Sequence, residues 1–322
     1  AMLLMHEDEV IFKQAFGYGH LRREIPFSVD GHFRAASISK SIIATLIVKL
    51  AADDVLDLDQ PIGEQLPIAR KLKLSSGERP TRTPTLRECL SHTAGFRADA
   101  GPGTKPWLQW KHHGLSLADV IQHEAAIPLS QDPGEKYAYS GIGYDFAGRV
   151  VEVVTGRPIE DVLQEHLCRP LEMTDTTFYP GEENFQKLPS FYWRHRSDGQ
   201  LVRKRNEPYV PRDEYKSIGG GIVTTINDLG RFLLMHQNGG RVQGQQWIEP
   251  DKLMEMYFRK KPGSFYGLGF VLGPADEQGH GRWILHTGSS GTMFWCDQER
   301  NVIGVISTQH RFSDGKSMPE SE

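Results

Sequence analysis

The stretch Phe33-Arg-Ala-Ala-Ser37-Ile-Ser-Lys40, continued by Ser-Ile-Ile-Ala-Thr-Leu-Ile-Val-Lys-Leu50, places a candidate nucleophile directly before the longest apolar run of the chain. Its apolar residues fall at positions 38, 42, 43, 46, 47 and 50, and this helical spacing predicts a helix from Ser37 to about Ala52. Residues three apart share a helix face, so the Ser37 hydroxyl and the Lys40 ammonium are neighbours. A serine at a helix start beside a cation has a stabilised alkoxide, which predicts nucleophilic catalysis.

By themselves these four residues do not decide the function, because an N-capping serine followed by a solvated lysine has the same spacing. Three later segments add support. Tyr139-Ser-Gly141 lies in a glycine-punctuated turn before a predicted helix, although a packed aromatic turn would also explain it. Gly219-Gly-Gly221 permits close backbone approach. Leu285 to Gly291 ends a predicted strand in small residues, which suits an edge strand that lines a cleft with backbone donors.

Taken in order, these segments resemble the serine β-lactamase and penicillin-binding-protein superfamily. The resemblance is nearest to its class C branch, with the related D-aminopeptidases, D-Ala-D-Ala carboxypeptidases and β-lactamase-like esterases. It extends from about residue 10 to about residue 308. Other sequence segments also match the family, namely Leu86 to Gly95, Asp132-Pro-Gly, Gly219 to Phe232 and Tyr266-Gly-Leu-Gly269.

The resemblance implies a role for each matching position. Ser37 would be the nucleophile, and Lys40 would be its electrostatic partner or proton acceptor. Tyr139 would match the catalytic tyrosine of the family's Y-x-N motif, serving as base for Ser37 and later for the deacylating water.

It also implies a substrate-binding strand beside the nucleophile. His286-Thr287-Gly288 would replace the family's K-T-G triplet, with His286 as the catalytic member of the three. The oxyanion hole would consist of the backbone N–H groups of Ser37 and Ser289.

Gly141 departs from the family pattern, because the motif has asparagine at this position. That asparagine amide binds an acylamino carbonyl of the substrate, and glycine offers no such group. The departure favours simple esters over β-lactams or peptides, unless a residue near Ser217 or Gln309 supplies the missing amide contact. An apolar acyl pocket or ordinary packing would each explain a set of aromatic residues, namely Trp107, Trp110, Phe191, Tyr192 and Trp193.

The leading interpretation is therefore an esterase-like serine hydrolase that acts through an acyl-enzyme on a small-molecule ester. The alternatives are a β-lactamase, a D-Ala-D-Ala carboxypeptidase or a D-aminopeptidase acting on β-lactams or D-amino-acid peptides. A slowly deacylating penicillin-binding or sensor protein is a third possibility.

The resemblance implies an α+β fold in which an antiparallel sheet is flanked by helices and a mainly helical lobe is inserted. Short turns between the last predicted strands also favour antiparallel pairing. We expect a discontinuous sheet domain at residues 1–60 and 212–322, with the helical lobe at 61–211. Strands are predicted at residues 9–18, Tyr266–Leu272, Trp283–His286, Thr292–Cys296 and Val302–Thr308, and residues 180–211 are predicted to be irregular.

Composition excludes several other classes of protein. The 322 residues carry a net charge of −4, so no basic field is present to recruit nucleic acid or anionic membrane. No apolar run approaches the roughly 20 residues of a transmembrane helix, and residues 1–5 do not resemble a signal peptide, which leaves the localisation unknown. Cys89, Cys168 and Cys296 are an odd number, far apart and without a C-x-x-C pair, so neither a disulfide framework nor a thiolate metal site is expected. The sequence has no H-E-x-x-H, G-x-x-x-x-G-K-[ST] or G-x-G-x-x-G motif, so no other metal site and no cofactor is expected. An oligomer is possible.

Overall fold

A computed structural model describes residues 1–97, 114–195, 198–203, 210–212, 214–258 and 265–313. Trp107 and Trp110, two candidates for an acyl pocket, lie outside the described residues. The strands are β1 (Met2–His6), β2 (Glu9–Gln14), β3 (Tyr18–His20), β4 (Ile25–Pro26), β5 (Phe33–Arg34), β6 (Tyr192–His195), β7 (Leu201–Arg203), β8 (Val223–Thr224), β9 (Arg241–Val242), β10 (Gln245–Gln246), β11 (Val271–Leu272), β12 (Trp283–Gly288), β13 (Thr292–Asp297), β14 (Val302–Ser307) and β15 (His310–Ser313). The α-helices are α1 (Ser39–Ala52), α2 (Leu86–Leu90), α3 (Leu117–Glu124), α4 (Ile142–Thr155), α5 (Ile159–Leu163), α6 (Gly181–Gln186), α7 (Ile226–Gln237) and α8 (Pro250–Met254).

The main sheet has six strands in the order β11-β12-β13-β14-β1-β2, and every neighbouring pair is antiparallel. The α+β class and the strands β12 to β14 are thus as predicted, within two residues at each end. The predicted strand Tyr266–Leu272 is shorter, because only Val271–Leu272 joins the sheet. Gly269 has a φ of +79° and turns the chain before that point, a conformation that a strand residue does not adopt.

Helix α7 covers one face of this sheet, packing against β1, β13 and β14. Gly230 makes the close approach possible, since a Cβ there would lie 2.6 Å from Leu3 Cδ2. The layer between helix and sheet is filled by Phe232, Phe270 and Phe294, whose ring centroids are 6.0 to 6.4 Å apart. This packing buries the side chains on one face of the sheet, which come from alternate residues of each strand.

Helix α1 runs through the centre of the molecule. All of its residues from Ser39 to Val48 are buried, and so is Leu50. A helix buried on every side is stabilised by tertiary packing rather than by an amphipathic surface. Among the helices of the described residues, none has the length and apolar content needed to cross a membrane.

Residues 180–211 are not the irregular insertion that the sequence predicts. They contain α6 and the antiparallel strands β6 and β7, and β6 also pairs in parallel with β15, where Tyr192 lies opposite His310. The sequence prediction failed because both strands are only three or four residues long, and because β6 pairs with β15, which lies more than 100 residues away. The prediction also missed β1, starting the first strand at residue 9.

Candidate active site

Ser37 lies in a single 3₁₀ turn, Ala36–Ile38, that leads directly into α1. The preceding residue, Ala36, has a φ of +48°, a left-handed conformation that costs an alanine about 1–2 kcal/mol. The neighbouring sheet holds this turn in place. The Ala35 carbonyl accepts a hydrogen bond from Thr292 Oγ1 at 3.0 Å, and a Cβ on Gly288 would lie 2.5 Å from the same oxygen. Gly288 thus lets β12 approach the nucleophile turn.

A second set of contacts fixes Arg34, three residues before Ser37. Gln309 accepts from the Arg34 N–H through Oε1 at 3.2 Å and donates to the Arg34 carbonyl through Nε2 at 3.1 Å. Ser290 Oγ donates to that carbonyl at 2.7 Å. Both ends of the Gln309 amide are thus engaged by the backbone of Arg34.

Lys40 is 4 % exposed, which contradicts the alternative of a solvated lysine. Its Nζ donates to the Gly219 carbonyl at 2.7 Å and to Ser37 Oγ at 3.5 Å. A Cβ at Gly219 would lie 3.0 Å from Nζ, so glycine here leaves room for the ammonium group. The buried cation also lies over two aromatic rings, 4.8 Å from the centroid of Tyr139 and 5.5 Å from that of Tyr144.

Tyr139 is half-buried and lies among other rings. Its ring centroid is 4.2 Å from that of His92, 6.3 Å from that of Tyr266 and 6.5 Å from that of His286. The structure thus brings together Ser37, Lys40, Tyr139 and His286, which are predicted from segments far apart in the sequence. Gly141 follows two residues after Tyr139 and immediately precedes α4, where its carbonyl accepts from the Tyr144 N–H at 3.0 Å.

His286 is a buried and uncharged member of the site. Its Nδ1 donates to the Thr287 carbonyl at 2.8 Å, so Nε2 is the acceptor for the Tyr266 hydroxyl at 2.8 Å. Burial, and next the nearby Lys40 ammonium, lower the pKa of His286 to about 3. His286 is therefore neutral at pH 7, and Lys40 provides positive charge to the site without its help.

The end of β12 forms one wall of the site. Strand β11 pairs only with Ile284 and Leu285, which leaves the segment from His286 to Gly288 with a neighbouring strand on the β13 side alone. Thr287 and Ser289 are exposed. In the turns and loops of the described residues, the Ser289 N–H donates to no backbone carbonyl.

Sequence reasoning assigned no role to three residues that surround this site. His92 and Tyr266 belong to segments that contribute to the resemblance, yet nothing in their spacing indicates what they contact. Asp145 accepts hydrogen bonds from Ile218 N at 2.9 Å and from Tyr215 Oη at 2.8 Å, and so supports the loop that presents Gly219 to Lys40. In the sequence, the only feature that connects Asp145 with the site is its position four residues after Gly141.

Comparison with known proteins agrees with this geometry. The Beta-lactamase family matches residues 1–320, and the chain belongs to this family. It is 29% identical over 325 residues to Esterase EstB of Burkholderia gladioli, covering 91% of this chain and 79% of the esterase. It is 24% identical to the Putative penicillin-binding protein PbpX of Bacillus subtilis, covering 87% of this chain and 63% of that protein.

Among solved structures, the fold is similar to that of EstCE1, described as a hydrolase with promiscuous acyltransferase activity. The two superpose with a TM-score of 0.83 at 22% identity, over 98% of this chain and 89% of EstCE1. The family and its esterase relative identify the protein as a hydrolase or acyl-transferring enzyme.

Proposed function

We propose that the protein is a serine carboxylesterase that forms an acyl-enzyme on Ser37. The observation that carries this proposal is the buried Lys40 ammonium, 3.5 Å from Ser37 Oγ and 4.8 Å from the centroid of the Tyr139 ring. A cation with little access to water stabilises an alkoxide on Ser37, and it also stabilises the phenolate form of Tyr139 that would act as the base.

In the proposed reaction, Tyr139 reacts as its phenolate, which accepts the Ser37 proton while Oγ attacks the carbonyl carbon of the ester. The carbonyl oxygen becomes an oxyanion that accepts hydrogen bonds from the N–H groups of Ser37 and Ser289. When the intermediate collapses, the bond to the alcohol breaks and Tyr139 returns the proton to the leaving oxygen. A water molecule then gives a proton to Tyr139 and attacks the acyl-enzyme. When this second intermediate collapses, the bond to Ser37 Oγ breaks and Tyr139 passes that proton to Oγ, which releases the carboxylic acid and restores both the Ser37 hydroxyl and the phenolate.

Two features favour esters over β-lactams and D-amino-acid peptides as substrates. Gly141 has no amide to orient an acylamino group. His286 stands where the resemblance places a lysine, and because its pKa is about 3 it offers no positive charge to a substrate carboxylate at pH 7. Both features suit an uncharged acyl donor.

An aromatic surface beside the site also suits an uncharged substrate. Phe265 is 51 % exposed, and its ring centroid lies 5.1 Å from that of Tyr137. The ring centroid of Tyr137 in turn lies 5.9 Å from that of Tyr266, which is the hydrogen-bond partner of His286. Exposed aromatic rings at the edge of a site bind apolar groups.

The test is to measure turnover of p-nitrophenyl esters, a chromogenic cephalosporin and D-amino-acid p-nitroanilides by the purified protein and by Ser37→Ala. We expect hydrolysis of short-chain esters with a kcat/KM at least about a hundredfold above that for the cephalosporin, equivalent to about 2.7 kcal/mol. Ser37→Ala should abolish turnover and labelling by a fluorophosphonate. Ser41→Ala is the control on the same helix, because the Ser41 hydroxyl donates instead to the Gly269 carbonyl, and it should still be labelled.

Other results would support the alternatives. Cephalosporin turnover as efficient as ester turnover would identify a β-lactamase, and rapid release of D-amino acids would identify a peptidase. Stoichiometric labelling of Ser37 without turnover of any of the three substrates would identify a slowly deacylating sensor protein. Ester turnover by Ser37→Ala within about tenfold of the parent rate would exclude the acyl-enzyme mechanism.

A further inference from the structure

His92 contacts the chain on both sides of Tyr139. Its main-chain carbonyl accepts a hydrogen bond from the Ala138 N–H at 2.8 Å, and its imidazole Nδ1 accepts one from the Ser140 N–H at 3.1 Å. A single residue therefore binds the backbone N–H groups of the residues immediately before and after the proposed catalytic tyrosine. His92 itself has a φ of +59°, a left-handed conformation that histidine and asparagine adopt more readily than most residues.

The imidazole also packs against the tyrosine ring. His92 is 3 % exposed, and its ring centroid lies 4.2 Å from that of Tyr139. Three further tyrosine rings, of Tyr266, Tyr144 and Tyr137, have centroids 4.9 to 5.8 Å from the imidazole. Such close packing leaves the imidazole little freedom to move, so it offers Tyr139 a fixed surface.

The hydrogen bond to Ser140 defines the protonation state of His92. Because Nδ1 is an acceptor, the ring proton is on Nε2, and Nε2 is buried without a hydrogen-bond partner in the described part of the chain. Burial, and next the Lys40 ammonium, lower the pKa of His92 well below its ordinary value, which keeps Nδ1 free to accept. A buried unpaired N–H is unfavourable, so a residue used only to fill this space would be apolar.

We propose that His92 is a positioning residue that holds Tyr139 in its reactive orientation by binding Ser140 N–H through Nδ1. This role rests on the proposed esterase function, since it acts through Tyr139. It extends the active site to a residue that acts through its contacts with the tyrosine turn. The competing explanation is that His92 only stabilises the fold.

Two substitutions at position 92 distinguish the effect of losing the hydrogen-bond acceptor from the effect of changing the backbone conformation. His92→Gly removes the imidazole and tolerates the positive φ, whereas His92→Asn tolerates the same φ and places Oδ1 where Nδ1 accepts. For p-nitrophenyl butyrate we expect His92→Gly to lower kcat at least about tenfold while KM changes less than about threefold. His92→Asn should recover most of that loss.

The decisive measurement is a double-mutant cycle with Tyr139→Phe. If His92 acts through Tyr139, adding His92→Gly to Tyr139→Phe should lower the residual kcat by less than about twofold, because the hydroxyl to be positioned is already absent. Independent effects that multiply in the double variant would overturn the proposal. A His92→Asn variant no more active than His92→Gly would overturn it as well.

Hydrogen exchange provides a readout that does not depend on turnover. In the parent and in His92→Asn, the amide of Ser140 should exchange slowly, and in His92→Gly it should exchange at least about tenfold faster under conditions where all three proteins remain folded. If the parent hydrolyses no ester, the proposed function fails, while exchange still tests the contact. Equal Ser140 exchange in the three proteins would show that His92 does not hold the turn.

Discussion

The hydrogen bonds between Gln309 and Arg34 link the far end of the chain to the nucleophile turn, across a separation of 275 residues. Gln309→Met keeps a side chain of similar length and removes both bonds. The Arg34 carbonyl retains Ser290 Oγ as a donor at 2.7 Å, but the Arg34 N–H loses its acceptor. Leaving a buried donor unpaired costs about 1–3 kcal/mol, and the bond from the Arg34 N–H is only partly buried, so we expect a loss of about 1 kcal/mol in the free energy of unfolding and a fall of about 2 °C in Tm.

Because Arg34 lies three residues before Ser37, the same substitution should also lower kcat for every substrate by a similar factor, about tenfold. The control is Gln298→Met, which removes a bond from Nε2 to the His236 carbonyl at 3.1 Å. It should lower stability and leave kcat unchanged. The assays are thermal unfolding by circular dichroism and ester and anilide kinetics in parallel. If Gln309→Met changed the ratio of anilide to ester turnover and left Tm unchanged, Gln309 would be a substrate-binding residue and the reasoning would be wrong.

Three further predictions concern other residues of the site and its surroundings. Gly288→Ala should lower kcat/KM at least about a hundredfold in ester assays, because its Cβ would lie 2.5 Å from the Ala35 carbonyl and displace the nucleophile turn. His286→Gln, which can still accept from the Tyr266 hydroxyl, should leave the pH–rate profile between pH 5 and 8 unchanged, since His286 with a pKa of about 3 does not titrate there. Burial, and next Asp145, raise the pKa of Glu124 well above its usual value, so folding takes up a proton there and stability falls as the pH rises. Glu124→Gln should reduce the fall in Tm between pH 5 and pH 8.

The sequence predicted the parts of the site that follow from local geometry. A three-residue spacing on a helix places Lys40 beside Ser37, and this pair is present in the structure at 3.5 Å. The order of strands at the end of the chain likewise predicted the antiparallel sheet. These inferences succeeded because helix and hairpin geometry relate residues that are near one another in sequence.

The remaining contacts could not be predicted because they depend on how distant segments pack. Ser140 meets His92 across 48 residues and Gly219 meets Lys40 across 179, and no local pattern encodes either pairing. The positive φ of Ala36 was equally inaccessible, since alanine favours right-handed conformations and only the contacts around Ala35 and Gly288 impose the turn. The neutrality of His286 also needed the structure, because its pKa depends on burial.

The charge distribution around Lys40 bears on how the proposed reaction could work. Two imidazoles approach the site, and both are neutral, because burial and the Lys40 charge lower the pKa of His92 and His286. Positive charge near Tyr139 therefore comes from an ammonium that already donates to the Gly219 carbonyl at 2.7 Å. In the proposed reaction Tyr139 accepts the Ser37 proton as its phenolate, and the ammonium stabilises that charge more strongly the closer the two groups lie. The position of the tyrosine turn therefore matters for the proposed reaction, and His92 accepts hydrogen bonds from the backbone N–H groups of the residues on both sides of Tyr139.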